Sequence, residues 1–562
     1  MFFLLPIILV GMFLETLSVG MVLPALGILI NESYFEEFPA LIPYLAYLGN
    51  PTHQELIIIG LSALAGSFLL KNLFLFFQIH CQGTFVYSAQ REIALELFRN
   101  YLHRGYLFHL QTNSATLIRN LTSEVISYCS FFLMPFLNLL TEGLVIVSIL
   151  SLIFWVEPKG TVVLGLILGI LIFLFVRTTS NVVGRWGRKR IEAEEQKIKH
   201  LQQGFGGIKE ILLTGKIEHF LRRYHRPNHV SGLMNKQEYI FQYVPKLGVE
   251  VIAIFGLVGM CLFMITQGKP YQEVTHMLGL MATVGFRMIP SFSRILNNLQ
   301  SIRYGWASVD TLAKEFGNYP NHYRGHQSKA DNITEDSELS FLKEVELANV
   351  SFSYSESDTD IVSRINLNIP RGAVVGMDGE SGSGKSTIIN LLLGLIEPTE
   401  GVLKVDGQNL RGAKINQWQK MIGYVPQEIY LLDDTIRRNI AFGVDDSDVN
   451  DDRVLEVLKI ARLDGLIEKT KDGLELLLGE RGARLSGGQR QRIGIARALY
   501  HDPEIIILDE ATSALDQKTE NEILTTFEPM IGKKTFLIVA HRQTSLEMCS
   551  KVYHLRDGKL LS

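Results

Sequence analysis

The stretch that most constrains this chain is Gly379-Glu380-Ser381-Gly382-Ser383-Gly384-Lys385-Ser386-Thr387. An apolar run, Ala373-Val374-Val375-Gly376-Met377, leads into it, and a mostly apolar one, Ile388 to Leu395, leads out. That pattern predicts a strand, a glycine turn and a helix. Gly379, Gly382 and Gly384 let the backbone curl so that its amides converge on an anion, and the helix N-terminus continues the nest. The Lys385 ammonium can reach β and γ phosphates, and the Ser386 hydroxyl can ligate Mg²⁺. A bare glycine turn has no use for a Gly-Lys-Ser at this spacing. The whole of Gly379–Thr387 is read as a site for a nucleoside triphosphate.

At 562 residues the chain exceeds one hydrophobic core, so two or more domains are expected. A formal charge of −4 gives no electrostatic reason to expect nucleic acid as a partner. Cys81, Cys129, Cys261 and Cys549 lie far apart with no Cys-x-x-Cys, and read as apolar fillers. The apolar residues are unevenly spread: the first half holds long, nearly uncharged runs, and the second half has the texture of a soluble α/β domain.

In Met1–Ile30 the only Asp, Glu, Lys or Arg is Glu15; in Leu56–Ala89 it is Lys71, and in Val125–Val156 it is Glu142. Gly160–Val176 and Val251–Gly268 have none, and Val274–Phe286 is a shorter run ending at Arg287. Spanning takes roughly 20 apolar residues, so six crossings are expected over 1–315. The N-terminal run has neither the basic start nor the small-residue cleavage site of a signal peptide and is read as the first crossing. Arg91, Arg99, Arg104 and Arg119 fall between the second and third runs; a second basic set, from Arg177 to Arg226, falls between the fourth and fifth. Positive charge inside places both long loops in the cytoplasm. Their patterning (Leu95, Phe98, Leu102; Ile208, Ile211, Leu212) predicts helices that project beyond the bilayer rather than lie on it. On the outer side, Asn31–Asn50 carries Phe38, Leu41, Leu45 and Leu48 at helical spacing and is expected to form an amphipathic segment.

Arg287 and Arg294 are seven residues apart and so share a helical face. Arginines at membrane depth are expected to face a partner or a wet cavity. Residues 316–340, polar and carrying Pro320 and Gly325, read as a linker to a nucleotide domain at 341–562. There, Glu504-Ile505-Ile506-Ile507-Leu508-Asp509-Glu510 predicts a buried strand that delivers Asp509 as a Mg²⁺ carboxylate and Glu510 as the base for water. Leu485-Ser486-Gly487-Gly488-Gln489 opens a helix with a second phosphate-suited N-terminus, redundant in one ATPase core unless it serves another protomer.

Taken together, these motifs resemble the ATP-binding cassette transporters of the exporter type over essentially the whole chain. The resemblance implies an α-helical transmembrane domain of six spanning helices with long cytoplasmic extensions, followed by an α/β P-loop ATPase domain. It implies that Tyr354 stacks on adenine, that Gln427 joins Ser386 and Asp509 around Mg²⁺, and that Ser486–Gln489 caps the γ-phosphate held by the other subunit of a homodimer. It makes Glu510, His541 and Lys385 the catalytic set, Ser513–Asp516 the dimer-contact loop, and Gly479–Gly482 the loop facing the partner's inner helices. ATP and Mg²⁺ are the implied cofactors. Leu117–Ser127 and Gly204–Gly215 are expected to meet the ATPase domain. Asp378 departs from the pattern, standing where an apolar residue is usual. Within exporters the chain most resembles the bacterial flippases for lipid-linked oligosaccharides, through Asn31–Asn50 and through Arg287 and Arg294, which the resemblance assigns to a polyprenyl-pyrophosphate head. It departs from them in lacking an interfacial helix before the first crossing. The expectation is an inner-membrane flippase with cytoplasmic ATPase domains; an exporter of another lipid, a peptide or drugs is the alternative.

Overall fold

The computed structural model describes residues 3–30, 52–156, 158–268, 271–317, 339–354, 360–468, 470–511, 517–540 and 542–561. Within these, the side chains of 271–287 and some others are not described. The outer segment Asn31–Asn50, nearly all of the linker, Ser513–Asp516 and His541 therefore lie outside the described residues, as does the side chain of Arg287. The chain divides into two units, Met1–Arg104 with His109–Gln327, and Gly105–Phe108 with Ser328–Ser562. Leu117–Ser127 and Gly204–Gly215 belong to the first unit.

The first unit is helical. Leu4–Gly20 and Val22–Ile30 precede His53–Leu102, a helix of 50 residues. Thr52 starts that helix with a capping box: its hydroxyl accepts the Glu55 N–H, and the Glu55 carboxylate accepts the Thr52 N–H at 2.7 Å. Pro158–Gly206 and Ile217–Thr266 are of similar length, and Tyr271–Gly317 closes the unit. At 1.5 Å per residue, a 50-residue helix runs ~75 Å, more than twice the hydrocarbon thickness. The inner extensions are thus continuous with the crossings. Among the described residues, His53–Leu102, Ser114–Leu152 and Ile217–Thr266 are long and apolar enough to cross a membrane, and Leu4–Gly20 is a shorter apolar helix. The expected runs Gly160–Val176 and Val274–Phe286 fall inside Pro158–Gly206 and Tyr271–Gly317.

Large apolar side chains such as Ile58, Leu69, Leu73, Phe76, Ile254 and Phe255 point out of this unit, as a lipid-facing surface requires. Its inner packing gathers Val145, Ile146, Ile149, Met288 and Ile295, with a second cluster of Leu4, Val86, Cys129 and Leu137. Toward the inner extensions the interior turns polar. Arg190 donates to Glu124 at 3.2 Å, to Ser127 at 2.6 Å and to Ser308 at 3.0 Å, all of them buried. Glu124 ends one of two π-helical turns, Asn120–Glu124 and Cys129–Leu133, that interrupt this stretch of helix.

The second unit holds two sheets. In the smaller, β1 (Glu344–Phe352) pairs antiparallel with β2 (Val362–Pro370) and β4 (Glu400–Val405), and β4 turns back into β5 (Gln408–Asn409). The larger runs β10-β9-β3-β8-β7-β6. Its strands are β3 (Val374–Gly379), β6 (Ile422–Val425), β7 (Ile505–Asp509), β8 (Thr535–Val539), β9 (Lys551–Arg556) and β10 (Lys559–Leu561). β3, β6, β7, β8 and β9 run parallel, so their C-terminal ends emerge along one edge. One core, including Val345, Leu347, Ile388, Trp418 and Ile507, joins the two sheets; the other, including Val425, Ile493, Ile506 and Phe536, fills the opposite face. Leu107 packs against the first of these.

Candidate nucleotide site and the charges of the membrane half

Parallel strands place their chemistry at their C-terminal ends, and four of them do so here. The glycine loop follows β3, Gln427 follows β6, Asp509 ends β7, and His541 follows β8 in sequence. β8 is flanked by β3 and β7, with Val539 in register with both Met377 and Asp509.

The loop itself is shaped by glycines. Gly382 and Gly384 have φ of +81° and +106°, open only to glycine without strain. A Cβ on Gly379 would stand 2.4 Å from the Leu555 carbonyl oxygen, so that backbone can approach only a glycine. Lys385 opens the helix Lys385–Leu392 and is 8% exposed; its Nζ donates to the Gly379 and Glu380 carbonyls at 2.6 and 3.0 Å. The ammonium is thus folded over its own loop. Ser386 is exposed and Thr387 is buried. The Ser383 hydroxyl is buried with no hydrogen-bond partner among the described residues, a polar atom that a phosphate oxygen can satisfy.

Opposite the loop, Gln427 donates from Nε2 to Glu510 Oε2 at 2.7 Å, joining two residues expected at the site. Glu510 has φ +46°, a left-handed turn that re-aims the chain at the strand end, and its N–H donates to the Val539 carbonyl at 2.9 Å. Asp509 accepts the Tyr424 hydroxyl at 3.3 Å. Burial pushes the Asp509 carboxyl up from its ordinary range, the Tyr424 bond and the Lys385 charge oppose that, and the Glu510 charge adds to it. Tyr354 is half-buried, packed edge-on against Phe352 with centroids 5.1 Å apart. Ser486 caps the helix Gly487–Tyr500 in a capping box with Gln489, while Gly487 fronts open space. Asp378, the departure from the pattern, accepts the Gly379 N–H at 2.7 Å and lies 3.6 Å from the His554 ring on β9. Its charge is engaged by the loop backbone and an imidazole.

Comparison with known proteins matches both units. The family described as ABC transporter matches residues 362–513, and the one described as ABC transporter transmembrane region matches 33–266. The chain belongs to the ABC exporters. It is 26% identical to the ATP-dependent lipid A-core flippase of Ralstonia nicotianae, over 84% of this chain and 78% of that one. The same-named protein of Cupriavidus metallidurans is also 26% identical, over 92% and 84%. The fold resembles a bacterial Atm1-family ABC exporter with ATP bound, with a TM-score of 0.79 at 21% identity, covering 100% of this chain and 94% of that one. An ABC exporter binds nucleotide through its ABC domain and couples ATP hydrolysis to transport.

In the exporter's membrane half Arg294 has partners within the chain: its Nε lies 2.6 Å from Glu142 Oε1, and its Nη2 donates to Glu142 Oε2 at 3.3 Å and to Ser291 at 3.2 Å. Its side chain is still 47% exposed. Lys71 lies 3.5 Å from Glu15 and 4.8 Å from the Phe68 ring. Sequence reasoning noted Glu15, Lys71 and Glu142 only as interruptions. Their being lone charges in long apolar runs was the available signal.

Proposed function

We propose that this ABC exporter is a homodimeric flippase that moves a glycolipid with a phosphate-bearing headgroup across a bacterial inner membrane, its ATPase domains on the cytoplasmic side. The observation that carries the reading is the match to lipid A-core flippases, which runs through both halves of the chain. A polyprenyl-pyrophosphate-linked oligosaccharide is the specific cargo inferred from Arg287 and Arg294; the relatives' names favour a lipid A-core instead, and the two share the phosphate chemistry.

In the proposed mechanism, Tyr354 stacks on the adenine and Gly379–Thr387 wraps the phosphates. Lys385 leaves the Gly379 and Glu380 carbonyls for the β and γ phosphates. Ser386, Gln427 and Asp509 are oxygen donors of the kind Mg²⁺ prefers, and the ion would supply charge neutralisation at the phosphates. Glu510 takes the proton of the attacking water, and His541 contacts the γ-phosphate. Ser486–Gln489 serves the site of the other subunit. The exposed apolar side chains of Phe205, Ile208, Leu212 and Leu213 support a twofold partner, since a solitary chain leaves them in water.

The test is ATP turnover in nanodiscs. Lipid A and a polyprenyl-pyrophosphate glycolipid are each expected to stimulate hydrolysis, and a neutral glycolipid of the same chain length is not. Stimulation by the neutral lipid alone would remove the phosphate from the proposal.

A further inference from the structure

Asp378, which stands where the family pattern has an apolar residue, is placed by the fold at the entry of the phosphate loop. β3 and β9 run side by side there, with Asp378 in register with His554 and Gly379 with Leu555. Gly379 is gripped from three directions. Its N–H donates to Asp378 Oδ1 at 2.7 Å, and its carbonyl accepts Lys385 Nζ at 2.6 Å. Its α-carbon lies so near β9 that a Cβ would stand 2.4 Å from the Leu555 carbonyl oxygen. Further along the loop, the Gly558 N–H, in the turn that leaves β9, donates to the Ser383 carbonyl at 3.2 Å. The loop therefore rests on β9 and its turn at both Gly379 and Ser383.

One of these grips is temporary. In the proposed mechanism Lys385 leaves the Gly379 carbonyl when phosphates arrive, so the loop entry then depends on contacts that do not involve the ammonium. The Asp378 carboxylate supplies one, a charge-assisted bond to the first amide of the loop. A short acidic side chain bonded to the next N–H rotates off it unless a second contact holds the carboxylate. His554 Nδ1, 3.6 Å from Asp378 Oδ2, is placed to hold it from the neighbouring strand. One carboxylate oxygen thus faces the loop amide and the other faces β9. We infer that Asp378 is a positioning residue for nucleotide binding: it holds the Gly379 amide so that the loop keeps its shape when Lys385 moves to the phosphates, and His554 orients its carboxylate. In this role Asp378 acts through the loop backbone, so it bears on ATP affinity and not on the chemical step. The inference rests on the nucleotide reading of Gly379–Thr387 and adds to it a residue outside that motif.

The experiment uses the full-length exporter in nanodiscs, with ATP affinity read by equilibrium binding and kcat and KM by hydrolysis. Asp378→Ala is expected to raise the ATP Kd and KM about fivefold, the scale of one charge-assisted bond discounted for a side chain that is 34% exposed, and to leave kcat within about twofold. Asp378→Asn keeps an oxygen for the Gly379 N–H and is expected to bind ATP within about twofold of the unmodified protein. His554→Ala alters a side chain that is 60% exposed, so the fold survives it. It is expected to raise the Kd about threefold, within the range of an exposed ion pair, and to add nothing in the Asp378→Ala background. An unchanged Kd in Asp378→Ala, equal losses in Asp378→Ala and Asp378→Asn, or a fall in kcat that exceeds the rise in KM would each overturn the positioning role. If His554→Ala weakens binding equally with and without Asp378, the pairing is overturned. Lys385→Ala is the separate control on the underlying reading, and is expected to weaken ATP binding more than any of these. If Lys385→Ala binds ATP as the unmodified protein does, the nucleotide reading itself falls, whatever Asp378 does.

Discussion

Glu510 stands in a left-handed turn with its carboxylate held by Gln427, immediately after a strand end that delivers Asp509. In the proposed mechanism Glu510 acts on the attacking water rather than on the nucleotide. Replacing it with Gln should keep the Gln427 contact and the backbone turn while removing the proton acceptor. Turnover is expected to fall by at least ~10²-fold, with ATP affinity, measured by equilibrium binding, unchanged. Hydrolysis at the unmodified rate would assign the base elsewhere. The glycine loop, Asp509 and Glu510 stood out as candidates in the sequence because phosphate chemistry demands set residue types at set spacings, whereas Gln427 and His541 entered only through the family resemblance. The ion pairs of the membrane half were not readable, since which lone charge meets which depends on how helices rotate and pack. The sequence showed Asp378 as an anomaly; only the neighbouring strand β9 supplies its imidazole neighbour, His554.

At the scale of elements, the small sheet rests on a turn that the sequence reading passed over. Asp406 and Gly407, both at positive φ, form the two-residue link between β4 and β5, the Asp-Gly pattern of a type I′ hairpin. The Asp406 carboxylate also accepts the N–H groups of Leu342, Lys343 and Glu344 at 2.6, 2.7 and 2.9 Å, tying down the entry to β1. Burial would raise the Asp406 carboxyl; the three N–H bonds and the Lys343 charge outweigh it and hold the group below its ordinary value. A carboxyl held low in the folded state stabilises fully above its unfolded pKa and loses that contribution as pH falls through the folded value. Asp406→Ala should therefore lower the stability of the ATPase domain near neutral pH by about 1 kcal/mol, the low end for hydrogen bonds to a charged group, because solvent screens this partly exposed carboxylate. Against the unmodified protein, the difference should shrink in acid, below the ordinary carboxylate range. Thermal melts across pH check both; a deficit that stays constant into acid would mean the ionised carboxylate is not the cause. The long helices, by contrast, were legible in outline: apolar runs and basic flanks set where they lie. Their continuity over 50 residues came only with the fold.

For the whole molecule, both halves of the family were written in the chain: uncharged runs can only be satisfied as membrane helices, and a strand–glycine loop–helix only as a nucleotide core. The cargo was not, because the chemistry of a transport site lies in where a few charges meet. The measurement that tests the proposed flippase most directly is ATP-dependent transbilayer movement in proteoliposomes. A phosphate-bearing glycolipid is placed in both leaflets and its exposure to an external modifying enzyme is followed. With the ATPase domains facing outward and ATP outside, the unmodified exporter should deplete the lipid from the outer leaflet, Glu510→Gln should leave it in place, and a neutral glycolipid should not move in either case. Equal movement with and without ATP, or with the Glu510→Gln variant, would contradict the account.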